Sequence, residues 1–143
     1  MQRPSSIVRY EQLYLGSFIL GLVASALSWQ GRAAQLGANP ALGNLQWIMP
    51  AALVVGIVIS VTLWYFTARN PSIAAKWVVT VFAALSLLGV ARNLYALASG
   101  TVPLFATLLA VLVSLLYVAA AVMLFKPDAK LWFGEEPTNG DIA

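Results

Sequence analysis

The chain contains no cysteine and no histidine. Their absence removes disulfides, zinc sites built on thiolates or imidazoles, haem ligation by histidine and cysteine nucleophiles. Charge is scarce as well, since only 9% of the 143 residues are Asp, Glu, Lys or Arg. A soluble domain carries roughly a quarter charged residues because its surface must face water. A chain this short stays mostly surface when folded, so burial in one core does not explain the shortfall. Lipid is the expected solvent. Eight basic and five acidic residues leave a net charge of +3. They form no clustered basic face of the kind nucleic acid requires, and no nucleic-acid partner is expected.

Catalytic chemistry is equally thin. Without histidine, cysteine or a pair of acids inside an apolar segment, no general acid–base constellation can be assembled, and an enzyme is not expected. Proton-coupled transport needs a titratable group within the membrane. Glu11 is the one candidate, and its place beside Arg9 reads as a carboxylate at headgroup level. No metal and no cofactor is predicted. A bound lipid, pigment or quinone stays open, because such a molecule can lie against apolar helices without leaving a motif.

Apolar residues are abundant, at 61% of the chain. Four apolar segments, at about 12–29, 47–68, 77–98 and 104–125, each approach the roughly 20 residues that a helix needs to cross the hydrocarbon core. The first has a rival reading as a signal peptide, with Arg3 and Arg9 ahead of it and Ala24-Ser25-Ala26 resembling a cleavage site. It is read here as a true span. Aromatic residues support the boundaries independently of hydropathy: Tyr10, Tyr14 and Trp29 for the first span, Trp47, Trp64 and Tyr65 for the second, Trp77 and Tyr95 for the third. Such rings prefer the headgroup level.

Basic residues set the expected orientation. Arg3 and Arg9 precede the first span, Arg69 and Lys76 separate the second and third, and Lys126 and Lys130 follow the fourth. Four spans place those three segments on one side, which the positive-inside rule makes cytoplasmic, and the opposite side holds Arg32 alone in its first loop. The 30–46 loop, with Gly31, Gly37, Asn39-Pro40 and Gly43-Asn44, is expected to be irregular. The 99–103 connection is short enough to force an antiparallel hairpin. Pro127-Asp128 is expected to open a short interfacial helix bearing Leu131, Trp132 and Phe133 and ending at Gly134. Residues 134–143 are expected to be a flexible cytoplasmic tail. Pro4-Ser5 followed by Arg9-Tyr10 is echoed by Pro71-Ser72 followed by Lys76-Trp77. The echo reads either as the common grammar of a helix entry or as a duplicated two-helix unit.

Small residues recur every four positions: Ser17, Gly21 and Ser25 in the first span, Ala52, Gly56 and Ser60 in the second, Ala106, Ala110 and Ser114 in the fourth. Such stripes let helix backbones approach closely in lipid, either within the bundle or against another subunit. Arg92 lies about two turns inside the external end of the third span, and an ionisable residue there is a functional candidate. Snorkelling to a lipid phosphate, a partner's acid or an anionic ligand would each satisfy it. Asn93 continues a small or polar line through Ser86, Gly89, Ala96 and Gly100, expected to face the bundle interior.

Several boundary features, namely Arg69, Asn70, Lys76 and Trp77, then Met123-Leu124-Phe125, then the charged turn from Lys126 to Lys130, then Trp132-Phe133, resemble a broad group of small four-span bacterial inner-membrane proteins. The resemblance covers the second half of the chain. It implies a four-helix inner-membrane fold and brings no catalytic residues with it.

The expected fold is thus an all-α, antiparallel, up-down-up-down bundle of four transmembrane helices. It forms one domain over residues 1–133, with both termini cytoplasmic. The expected role is a non-enzymatic accessory or structural subunit that packs against another membrane protein or against itself. Ser17, Gly21 and Ser25 would dock, Arg92 and Asn93 would meet a partner or lipid, and Trp132 and Phe133 would anchor the foot. The alternative is a small channel or carrier for an anionic or neutral solute, with Arg92 and Arg32 at its mouth and Asn93 along its path.

Overall fold

The computed structural model describes residues 3–136, which form helices and connecting turns with no strand among them. In chain order these are α1 (Ser5–Leu27), α2 (Trp29–Ala38), α3 (Ile48–Trp64), α4 (Ile73–Ala98), α5 (Leu104–Met123) and α6 (Pro127–Trp132). A 3₁₀ turn at Gly43–Leu45 leads into α3, and a π turn at Tyr65–Arg69 ends it. Four stretches, Ser5–Leu27, Gly43–Arg69, Ile73–Ala98 and Leu104–Met123, are long and apolar enough to cross a membrane.

The helix ends differ from the apolar segments for local reasons. α1 begins at Ser5 rather than near Gln12, because Arg9, Glu11 and Gln12 are sound helix formers whatever their polarity. α4 begins at Ile73, where Ser72 takes the N-cap position and accepts from the Ala75 backbone N–H at 3.4 Å. α5 stops at Met123, and the chain reaches Lys126 in an extended conformation, as a residue before proline prefers. Pro127 then opens α6 at its first turn, and Gly134 follows the helix with a φ of 71°.

The loop expected to be irregular at 30–46 is helical over its first part. Arg32, Ala33, Ala34, Gln35 and Leu36 favour helix strongly enough to carry Gly31. Asn39, held extended ahead of Pro40, ends it. The junction of α1 and α2 is tied by Arg32, whose Nη2 donates to the Ser25 carbonyl at 3.1 Å and to Ser28 Oγ at 2.6 Å.

α1 packs along α5, and α5 along α4. The α1–α5 partners descend in register, from Ser17 on Val113 to Tyr14 on Tyr117, and Ser6 then meets Asp128 of α6, so α1 and α5 are antiparallel. Buried apolar residues gather toward the end where α1 begins and α6 lies, the termini end of the described residues, where Ile7, Tyr10, Tyr14, Val79, Ala121, Leu124, Ala129 and Phe133 form one cluster. α3 stands apart. Only 6% of its span is buried, against 17% for α1 and α5 and 22% for α4.

Polar contacts fasten the termini end. The Glu11 carboxylate receives Arg3 at 2.6 Å, Arg69 at 3.0 Å and the Trp64 indole N–H at 3.2 Å, which ties the foot of α3 to α1. Lys76, 2% exposed, pairs with Glu135 at 2.7 Å and lies 4.6 Å from the Phe125 ring centroid. Thr67 owes its partner to a proline: Pro71 has no N–H to offer that carbonyl, and the Trp132 indole donates to it instead at 3.2 Å. The sequence echo has no structural counterpart at its core, because Arg9 is exposed and Tyr10 buried whereas Lys76 is buried and Trp77 exposed.

Asp128 caps α1 from across the chain. Pro4 occupies the N-cap position with no side-chain acceptor, and the Ser6 backbone N–H donates to Asp128 Oδ2 at 3.0 Å. Burial pushes this carboxyl up, but the N–H groups of Ser6, Asp128 and Ala129 outweigh it and hold the group below the usual carboxylate range. A depressed folded-state pKa gives stability that is full above the unfolded value of about 3.9 and lost as the pH falls through the folded one. D128A is therefore expected to lower stability by about 1 kcal/mol at pH 7. Thermal unfolding followed from pH 7 to pH 3 checks this, with the variant and wild-type curves converging below about pH 4.

Candidate functional site

A cleft of about 750 Å³ lies between α1, α3 and the α2 segment, with α5 at its back. Two sequence features create it. Ser17, Gly21 and Ser25 lie along one face of α1, and Ala52, Gly56 and Ser60 along one face of α3, and all six line the cleft. Neither stripe carries a side chain large enough to fill the gap. A Cβ placed on Gly56 would meet nothing within 4 Å, and one on Gly21 would meet only Val113 Cγ1 at 3.8 Å.

The cleft is closed toward the termini by aromatic rings. Tyr14 donates its hydroxyl to the Ser60 carbonyl at 3.0 Å, and its ring centroid lies 5.5 Å from that of Tyr117 and 5.3 Å from that of Tyr10. Ser17 is committed to α5, donating to the Val113 carbonyl at 2.9 Å. The middle of the cleft is apolar, with Phe18, Leu22, Leu53 and Ile57 on its walls. Toward α2 it turns polar and aromatic, with Trp29, Arg32 and Gln35. The described ion pairs, Arg3 and Arg69 with Glu11 and Lys76 with Glu135, all lie at the termini end, so Arg32 has no acid partner among the described residues. The cleft is thus graded along its length, from tyrosine and serine hydroxyls through hydrocarbon to an unneutralised cation.

The residues singled out from the sequence separate into three groups. Ser17, Gly21 and Ser25 meet at the cleft, though only Ser17 is buried. Arg92 and Asn93 lie outside it: Arg92 is exposed on α4, and the Asn93 amide donates to the Gly89 carbonyl of its own helix at 3.0 Å. The path expected to run past Asn93 has no counterpart in the cleft lining. Trp132 and Phe133 turn inward at the foot, Phe133 buried and Trp132 bound to Thr67. The expected tail begins with Gly134, and its Glu135 is drawn onto Lys76, while residues 137–143 lie outside the described part.

Sequence reasoning gave Tyr14 and Tyr117 no role at this site, and gave Arg32 one only at the mouth of the alternative channel or carrier. A signal was present: continuing the Ser17, Gly21, Ser25 spacing reaches Ser28 and Arg32, and stepping back one turn reaches Tyr14, all on one helical face. Comparison of the chain with protein-family models, with curated proteins and with solved structures returns no match to any of them.

Proposed function

We propose that the chain is a non-enzymatic integral protein of the bacterial inner membrane that holds a small guest molecule in this cleft, as a carrier or binding protein does. In this reading four helices cross the membrane up-down-up-down with both termini in the cytoplasm, and the cleft opens in the outer half of the bilayer. The excess of Lys and Arg at the termini end supports that orientation.

The observation that carries the reading is the size of the cleft. Its lining runs along the chain from Tyr14 to Trp29, which at 1.5 Å per residue is about 22 Å of helix. Spread over that length, 750 Å³ leaves a mean cross-section of roughly 34 Å². A helix with its side chains, about 10 Å across, needs roughly 80 Å². The docking of another subunit's helix into this space is therefore disfavoured, whereas the volume lies within the range of small-molecule sites, roughly 300–1,000 Å³. The tyrosine layer at the closed end argues for a binding site and against a through-pore.

Native mass spectrometry of protein extracted from its own membrane in mild detergent tests this. The wild type is expected to retain a small-molecule adduct that G56L, with the cleft filled, loses. A defined larger assembly, unchanged by G56L and carrying no such adduct, would return the function to an accessory subunit. In that case Arg92, exposed on α4, becomes the first contact to examine.

A further inference from the structure

We propose that the guest is a single-chain anionic amphiphile, a long hydrocarbon tail ending in a carboxylate or similar anionic head, lying along α1 with its head at Arg32. The inference rests on the reading of the cleft as a small-molecule site and goes on to name the ligand class.

Charge selects the head. Arg32 uses only Nη2 for its bonds to Ser25 and Ser28, which leaves Nη1 and Nε without a hydrogen-bond acceptor among the described residues. With both N–H groups of Nη2 committed, an anion meets the guanidinium through single charge-assisted bonds from Nη1 or Nε. The Nη2 bonds also hold the fork in place, so little side-chain entropy is lost when an anion arrives. Gln35 and Trp29 share the same end of the cleft and supply an amide and an interfacial ring at head level.

The rest of the cleft selects the tail. Below Arg32 the walls are largely hydrocarbon, and two hydroxyls at the closed end are already bonded, Tyr14 to the Ser60 carbonyl and Ser17 to the Val113 carbonyl. A guest that reaches them needs no polar group of its own, and one carrying such a group would lose hydration without a partner. Volume then limits the number of chains. A methylene group occupies about as much space as a water molecule in the liquid, roughly 30 Å³, so 750 Å³ holds on the order of 25 such groups. That is one long chain with its head, and too few for a two-chain lipid.

The test uses the full-length protein in a non-ionic detergent, with tryptophan fluorescence quenched by 16-carbon probes brominated along the tail. One probe is the carboxylate and the other the alcohol of equal length. Saturable quenching of the wild type by the carboxylate is expected, lost with W29F, because Trp29 lines the cleft. R32Q should weaken the carboxylate about 10- to 100-fold, the range of a charge-assisted hydrogen bond, and leave the alcohol nearly unchanged. G56L, and A52F as a second filled variant on the same wall, should abolish both.

Equal weakening of carboxylate and alcohol by R32Q, or no weakening, overturns the anionic head while the cleft remains a small-molecule site. Competition by a two-chain anionic phospholipid as strong as by the single-chain carboxylate overturns the single tail. Quenching that ignores both G56L and A52F marks simple partitioning into detergent, and the reading of the cleft falls with the inference. No saturable quenching of the wild type by either probe overturns the inference outright.

Discussion

Replacing Glu135 with alanine lowers the unfolding free energy by about 3 kcal/mol, and adding Lys76→Met to the same chain restores it to within about 1 kcal/mol of the wild type. The reason is the position of Lys76. Its side chain is 2% exposed and its ammonium sits between the Phe125 and Phe133 rings, 4.6 Å and 5.4 Å from their centroids, with Glu135 as its counter-charge. Deleting the acid alone leaves a desolvated cation with only ring faces to stabilise it, and cation–π attraction supplies on the order of 1–2 kcal/mol. Deleting both charges removes the desolvation cost together with the attraction, and methionine fills the space with a flexible apolar chain. Denaturant unfolding in mild detergent, read by tryptophan fluorescence, measures all three chains. A double variant as unstable as E135A would mean that packing around Lys76, and not its charge, sets the effect.

The second large effect is expected at Glu11, where E11A should cost about 2 kcal/mol. Its two ion pairs are partly open to solvent, with side-chain exposures of 32% for Arg3 and 47% for Arg69, so each is screened and worth well under 1 kcal/mol. The larger share comes from the Trp64 indole, which donates to the carboxylate at 3.2 Å from a half-buried position. A hydrogen bond to a charged acceptor is worth roughly 1.5–3 kcal/mol. E11Q keeps an acceptor for Trp64 while removing the charge, and should therefore recover about half of the loss, the worth of a neutral hydrogen bond of about 1 kcal/mol. Raising the salt concentration should narrow the gap between wild type and E11Q and leave that between E11Q and E11A nearly as it was. The same unfolding titration, run at low and high salt, separates the two contributions.

How much of this was legible in the sequence follows from what each feature depends on. Spans of about 20 apolar residues are written in one stretch of chain, and four helices able to cross a membrane appear where hydropathy puts them. The short helix opened by Pro127 was legible for the same reason, since proline, an acid in the first turn and a following glycine are all local signals. The α2 helix was obscured because glycine and the Asn39-Pro40 pair weigh heavily in a loop reading, while the Ala33, Ala34 and Gln35 run that wins is short.

Pairings between distant positions were not legible. Arg69 and Lys76 read as two members of one cationic loop, yet they meet Glu11 and Glu135, 58 and 59 residues away. No periodicity encodes such a match. The small-residue stripes show the same limit from the other side. Ser17-Gly21-Ser25 and Ala52-Gly56-Ser60 are equally small whether two helices close over them or stand apart. Only the low burial of α3 decides between those outcomes.

The contacts that fasten the termini end also impose an order on biosynthesis. α1 is made before the other helices described here, but the carboxylate that caps it belongs to Asp128. The counter-charge of Lys76 is Glu135, and the donor that satisfies Thr67 is Trp132. All three follow α5 in the chain. A nascent chain that stops after α5 can place every span in the bilayer and still leave an uncapped helix, an unpaired ammonium and a bare carbonyl at its foot. Each of those three groups finds its partner only in the segment 128–135, so this short stretch is where the foot of the molecule becomes electrically and sterically complete.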